Sequence, residues 1–235
     1  MTVDEIVAEL RSLGSEQTKN TLLKHGAVEP IFGTKITDMM PLRKRLGHQH
    51  ALSLELYDTG ISDAMYLAAL ISEPKKMTKP QLQKWAKQST WSMLSEYAVA
   101  WTAAESRFAT EMALEWVESK KVTIATSGWA TYSSYVAITP DDALDLEEIE
   151  MLLSKIPTHI NKAPDRVKYV MNGFVISVGS SVPPLTAKAK AVAKQLGLVQ
   201  ISMGETSCKV PLATEYIDKV IAAGKHGKKR KTAFC

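Results

Sequence analysis

Apolar residues recur at helical spacing along almost the whole chain. Near the start, Ile6, Val7, Leu10 and Leu13 follow the i, i+1, i+4, i+7 order of one helix face. Thr2 and Glu5 stand three apart as a capping box, and Gly14 supplies a stop. The same grammar recurs downstream. Ser15 opens a helix running to His25 and Gly26, Thr37 opens one that ends near Gly47, and Thr78 with Gln81 frames one that carries proline in its first turn. Asp145 with Glu148 opens a helix over 146–155. Long apolar segments predict further helices over 48–57, 62–71, 90–103, 107–119, 121–136, 165–180, 185–196 and 213–223. Only LVQIS, 198–202, reads as a strand.

This pattern predicts an all-α chain of about a dozen helices with short connectors. Three segments resemble one another: SDAMYLAALIS (62–72), TSGWATYSSYV (126–136) and RVKYVMNGFVISVG (166–179). Each interleaves small and large apolar residues, as an inner helix packed on both sides requires. Their recurrence favours a solenoid of stacked helical pairs over a globular bundle. Gly128, Gly173 and Gly179 lie inside these patterns, where each costs about 1 kcal/mol relative to alanine, and close helix packing is the ordinary reason for accepting that cost. The expected organisation is one helical domain over 1–224 followed by a basic tail, 225–235.

Composition adds limits. At 235 residues and 45% hydrophobic content the chain can bury a sizeable core. No apolar run approaches the roughly 18 residues of a membrane helix, and MTVDEIVAEL carries three acids where a signal peptide would be basic. A cytoplasmic protein with no membrane association is expected. Cys208 and Cys235 are too few for a disulfide framework or a zinc site and read as free thiols. His48 and His50, two apart on a helix, point to different faces, so no metal is expected.

The net charge of +4 is unevenly spread. Lys225, Lys228, Lys229, Arg230 and Lys231 crowd the C-terminal stretch without an acid, PLRKRLGHQH (41–50) is basic, and DDALDLEEIE (141–150) is acidic. Such segregation suits a polyanion partner for the basic zones. If the tail met duplex phosphates, five contacts would give a log K versus log salt slope of about −4.5. A solvated end is the plainer alternative.

The candidate chemistry lies in KQSTWSMLSEYAVAWTAAES, 87–106. On an ideal α-helix Trp91, Leu94, Ser95 and Ala98 share a stripe, whereas Glu96 falls about 140° from Trp91. An aromatic stripe at helical spacing is ordinarily core. Yet the five tryptophans, at 85, 91, 101, 116 and 129, are all concentrated in this part of the chain, and indole faces cover nucleobases and attract cations.

NTLLKHGAVEPIFGTKITDMMPLRKRL (20–46), ELYDTGISDAMYLAALI (55–71), KQSTWSMLSEYAV (87–99) and DRVKYVMNGFVISVG (165–179) resemble, in order, successive parts of the AlkD-type DNA alkylation repair family. The resemblance runs over about residues 1–225. It implies a curved superhelix of HEAT-like, ARM-like repeats that cradles duplex DNA on a positive face. It also implies hydrolysis of the N-glycosidic bond of cationic alkylpurines, such as 3-methyladenine and 7-methylguanine, without metal or organic cofactor, by a monomer. In such a glycosylase a carboxylate beside aromatic faces stabilises an oxocarbenium-like sugar.

The family's first tryptophan matches Trp91. Its aspartate, one turn later, falls on Ser95, and its second tryptophan falls on Phe174. The family's arginine near the lesion falls close to Gly128. The catalytic set implied is therefore Trp91, Ser95, Glu96 and Phe174, with Glu96, Glu105 or Asp165 as the replacement acid. Three readings stay open. One is a glycosylase on alkylpurines. Another is a protein that recognises altered or branched DNA by shape, through Arg43, Lys44, Arg45, Lys168 and the tail cations, whether or not the DNA is alkylated. The third is a protein-interaction solenoid.

Overall fold

The computed structural model describes residues 1–202 and 209–234. Among these, the chain forms thirteen α-helices and no strand ladder. The segment 198–202, expected as a strand, is loop. Cys208 and Cys235 lie outside the described residues.

The capping signals act where they were expected. In α1 (Val3–Leu13), Thr2 and Glu5 form the reciprocal capping box. Helix α2 (Glu16–Lys24) is capped by Ser15, α6 (Lys79–Gln88) by the Thr78–Gln81 box, and α10 (Leu146–His159) by Asp145. Helix α3 (Ile36–Leu46) starts one residue before Thr37, with Lys35 at its N-cap and no side-chain cap.

Helices α4 (His50–Asp58), α5 (Ser62–Ile71), α8 (Ala109–Val117), α9 (Val122–Ile138), α11 (Asp165–Ser181), α12 (Thr186–Leu196) and α13 (Ala213–Ala222) occupy the other expected segments. The helix expected over 90–103 is different. Its first part, Met93–Val99, is π-helical and passes directly into α7 (Ala100–Ala104).

The inner row consists of α5, the π-helical segment with α7, α9 and α11, each packed on the next. All ten residues of α5 are buried. Helices α4, α8 and α12 pack outside α5, α9 and α11 respectively. Gly128 marks a close approach of α9 to α8: a Cβ there would stand 2.6 Å from the Val117 amide nitrogen. Gly179 is closed in by Ile217 and Ala189 in the same way, whereas Gly173 faces open space, so close packing does not explain it. Two apolar cores result. One gathers mainly α1 to α8 around Leu56, Tyr57 and Trp85, the other mainly α9 to α13 around Tyr132 and Phe174.

The basic C-terminal stretch is laid across this body. Gly227 N–H donates to Ser180 O at 2.9 Å and Arg230 N–H to Ala137 O at 2.8 Å. The Lys229 ammonium donates to Val136 O at 2.9 Å and Ser181 O at 2.7 Å, and pairs with Asp141 at 2.8 Å. Glu105 accepts from the Thr232 hydroxyl and, at 2.7 Å, from Ala233 N–H. Ala233 is fully buried in the first core, and Phe234 packs on Trp101 with ring centres 5.5 Å apart. Lys229, grouped with the phosphate-binding cations on sequence grounds, is thus drawn inward. The carbonyls at the ends of α9 and α11 need donors, and a cation answers both helix termini.

Candidate nucleic-acid interface

Trp91 precedes the π-helical segment. Its indole N–H donates to Ser62 Oγ of α5 at 2.7 Å, which fixes the ring with 6% of the residue exposed. On one side of it opens a cavity of about 660 Å³. Five regions line it: the end of α2 (Thr21, Lys24, His25), the stretch from Thr90 to Tyr97, the start of α9 (Val122, Thr123, Thr126), the start of α11 (Arg166, Tyr169) and Ser202.

Trp91, Ser95 and Glu96 all face this cavity. An ideal wheel turns Glu96 away from Trp91. A π-helical turn closes i→i+5 bonds and so takes about one residue more than an α turn. That extra residue carries Glu96 back toward the Trp91 side. It sits where i+4 and i+5 both contribute to one wall, and neither sequence pattern nor propensity signals it.

Glu96 is 6% exposed. Its carboxylate accepts both the Nε–H of Arg166, at 2.9 Å, and the terminal N–H of the same guanidinium, a bidentate pair. The guanidinium also lies 4.6 Å from the centre of the Tyr169 ring. Burial pushes the Glu96 carboxyl above the ordinary carboxylate range, and the Arg166 charge and hydrogen bonds pull it back. Ser95 is 1% exposed and accepts from the Thr126 hydroxyl at 3.1 Å, while its carbonyl accepts from Ser127 at 2.9 Å. It is a packed hydroxyl between two helices.

The other expected site residues are scattered. Phe174 is fully buried, edge-on to both Trp129 and Tyr132, and does not line the cavity. The match to a site aromatic therefore meets a core position, because Phe174 lies on the face of α11 that packs into the second core. Glu105 is occupied by the C-terminal stretch. Asp165 accepts from Ser202 N–H at 2.8 Å and pairs with Lys168 at 3.3 Å. Among the described residues, Glu96 is the one carboxylate that lines the cavity.

The proposed phosphate contacts do not converge on the cavity. Arg43 donates to Leu70 O at 3.3 Å and lies beside Phe234, and Arg45 pairs with Glu9. Lys44, Lys225, Lys228 and Lys231 are exposed, and Lys168 lines a different, polar cavity with Asn161 and Gln195. The basic residues that do face the Trp91 cavity, Lys24 and Arg166, and the His25 imidazole beside them, were missed. Arg166 stood inside a quoted motif, beside Asp165, but only the fold brings position 166 against position 96.

No described group of three or more His, Cys, Asp or Glu side chains is placed to hold a metal ion, and no described helix is long and apolar enough to cross a membrane.

Comparison with known proteins agrees with this architecture. A family model described as DNA alkylation repair enzyme matches residues 6–209. An uncharacterized protein of Listeria innocua is 33% identical over 225 residues, covering 93% of this chain and 97% of the relative, and one of Listeria monocytogenes is 32% identical over the same shares. A solved structure superposes with a TM-score of 0.91 at 34% identity over 100% of both chains. It is described as belonging to a new family related to the HEAT-like repeat DNA glycosylases, with affinity for branched DNA structures. With a match across most of its length and a HEAT-like fold of stacked inner and outer helices, this chain belongs to the DNA alkylation repair enzyme family.

Proposed function

We propose that this protein grips DNA through its sugar–phosphate backbone, with a preference for branched structures, and does not hydrolyse N-glycosidic bonds. The observation that carries this reading is the bidentate Glu96–Arg166 pair. The departing alkylpurine leaves a cationic sugar, which needs an uncommitted carboxylate nearby. Here the cavity's carboxylate is neutralised by a guanidinium, which leaves little negative charge for the developing cation.

The same features suit an anion. Helices α9 and α11 both begin at the cavity, preceded by Lys121 and Pro164, and neither has a side-chain cap. Their first N–H groups and dipoles favour phosphate, as do Lys24 and Arg166. The solved relative's affinity for branched DNA supports extending the reading from duplex to junctions. A working glycosylase is the second reading, favoured by the single fact that Glu96 faces the same cavity as Trp91.

The deciding experiment measures base release from duplex DNA containing 7-methylguanine, with salt-titrated binding to the same duplex and to a three-way junction. The expected result is no release and a binding constant that falls steeply with salt, with a slope of about −0.9 per phosphate contacted. Release that disappears in Glu96→Gln would establish the glycosylase reading instead.

A further inference from the structure

A second cavity, of about 290 Å³, lies on the other side of Trp91. It is mainly apolar, bounded by Ile31, Ile36, Met39, Tyr66 and Leu94, and it shares Leu22, Trp91 and Met93 with the larger cavity. Helix α2 spans both. Thr18 and Leu22 face the small cavity, while Thr21, Leu22 and His25 face the large one. These positions are related by i, i+3, i+4 and i+7, so one helix face roofs the pair.

An amphipathic helix ordinarily turns its apolar stripe onto the core. No residue of α2 is buried. Leu22 and Leu23 pack against the first core only half-buried, and the face from Thr18 to His25 borders the two cavities.

The polar groups beside the small cavity are already engaged. Ser62 Oγ accepts from Trp91, and the two Asp63 oxygens accept from Phe32 N–H at 2.6 Å and Thr34 N–H at 2.8 Å. What remains is an apolar slot beside an indole and a phenol ring, at the small end of ligand pockets, which run from about 300 Å³ upward. Exposed cations flank it, Lys35 at this cavity and Lys24 at its neighbour.

We propose that the small cavity receives one nucleobase, unstacked from DNA seated in the larger one, with α2 as its roof. This rests on the reading of the larger cavity as a DNA seat. Trp91 and Tyr66 both border the slot and offer ring surface to a base, and the flanking lysines answer the phosphates on either side of it. Branched DNA supplies bases that are unpaired or weakly paired, so their unstacking costs little. The hydrogen-bonding groups named above are used internally, so the slot accepts a base without reading its edge.

The test compares binding, by fluorescence anisotropy, to an intact duplex, a three-way junction with one unpaired thymine at the branch, and the same junction with an abasic residue in its place. The wild-type protein should bind the thymine junction about tenfold more tightly than the abasic one, the scale of one base–aromatic stack. Thr18→Trp and Ile36→Trp fill the cavity from α2 and from α3. Each should bring that ratio close to one while leaving duplex affinity and Tm unchanged, and either folded variant suffices. Equal wild-type affinity for the two junctions, or a preference that survives in both variants, would overturn the proposal while leaving the DNA seat intact. Failure to bind any of the three at low salt would instead overturn the seat, and this proposal with it.

Discussion

A half-buried cation, Lys229, and a buried carboxylate, Glu96, are satisfied in different ways. The Lys229 ammonium is answered by two backbone carbonyls, Val136 O and Ser181 O, together with Asp141. It joins the ends of α9 and α11 to the C-terminal stretch and lines none of the cavities described above. Glu96 is held by one guanidinium, that of Arg166, which reaches from 70 residues away and remains 33% exposed at a cavity wall. A cation spread over helix termini is part of the architecture. A carboxylate held by one partly exposed side chain is the arrangement on which the proposed DNA seat relies.

The largest effect should come from breaking the site pair. Arg166→Ala leaves Glu96 buried without its counter-charge, a loss of about 3–5 kcal/mol. The carboxyl is already raised by burial, and removing the guanidinium raises it further. A raised folded-state value means stability is retained below the ordinary glutamate value of 4.5 and lost as pH rises through the folded-state value. Urea unfolding at pH 4.5 and pH 7.5 should therefore show the variant weakened mainly at the higher pH. An equal loss at both would contradict an ionised, uncompensated Glu96.

Glu96→Gln should cost less, about 1–3 kcal/mol, because the partly exposed guanidinium left behind can turn to water. Adding it to Arg166→Ala should also remove that variant's pH dependence, which a double-mutant unfolding cycle would detect.

Lys229→Met tests the other side of the comparison. Two carbonyls lose their donor, and a loss of about 1–3 kcal/mol follows, without the acid-side recovery expected for Arg166→Ala. DNA affinity in the same preparation should hardly move. A selective loss of affinity at unchanged stability would mean that Lys229 leaves its carbonyls for phosphate.

The smallest stability effect is expected from the exposed cations Lys225, Lys228 and Lys231, changed together to glutamine. Tm should stay nearly constant. If these residues meet phosphate, the salt slope of DNA binding should flatten by about 2.7. An unchanged slope would assign them to solvent.

Much of the outer layer was legible in the chain. The caps at Thr2, Ser15, Thr78 and Asp145 each form the bond their sequence context implies, since a cap is a contact over three residues. The small-and-large pattern of 62–72, 126–136 and 166–179 marked the inner helices because packing on several sides needs small residues interleaved with large apolar ones. Phe174 shows where local likeness stops, because an aromatic residue at a matching position can face the core as readily as the cavity.

By itself, then, the sequence determined an all-helical stack and the ends of several helices, because periodicity and capping are short-range properties of the chain. Tertiary structure alone decided that a π-helical turn brings Glu96 to the Trp91 cavity, that Arg166 neutralises it, and that Lys229 turns inward. The π-helical turn is local but has no signature in periodicity or propensity, and the two charge pairings join groups tens of residues apart, so no local pattern records which partner a charge will find.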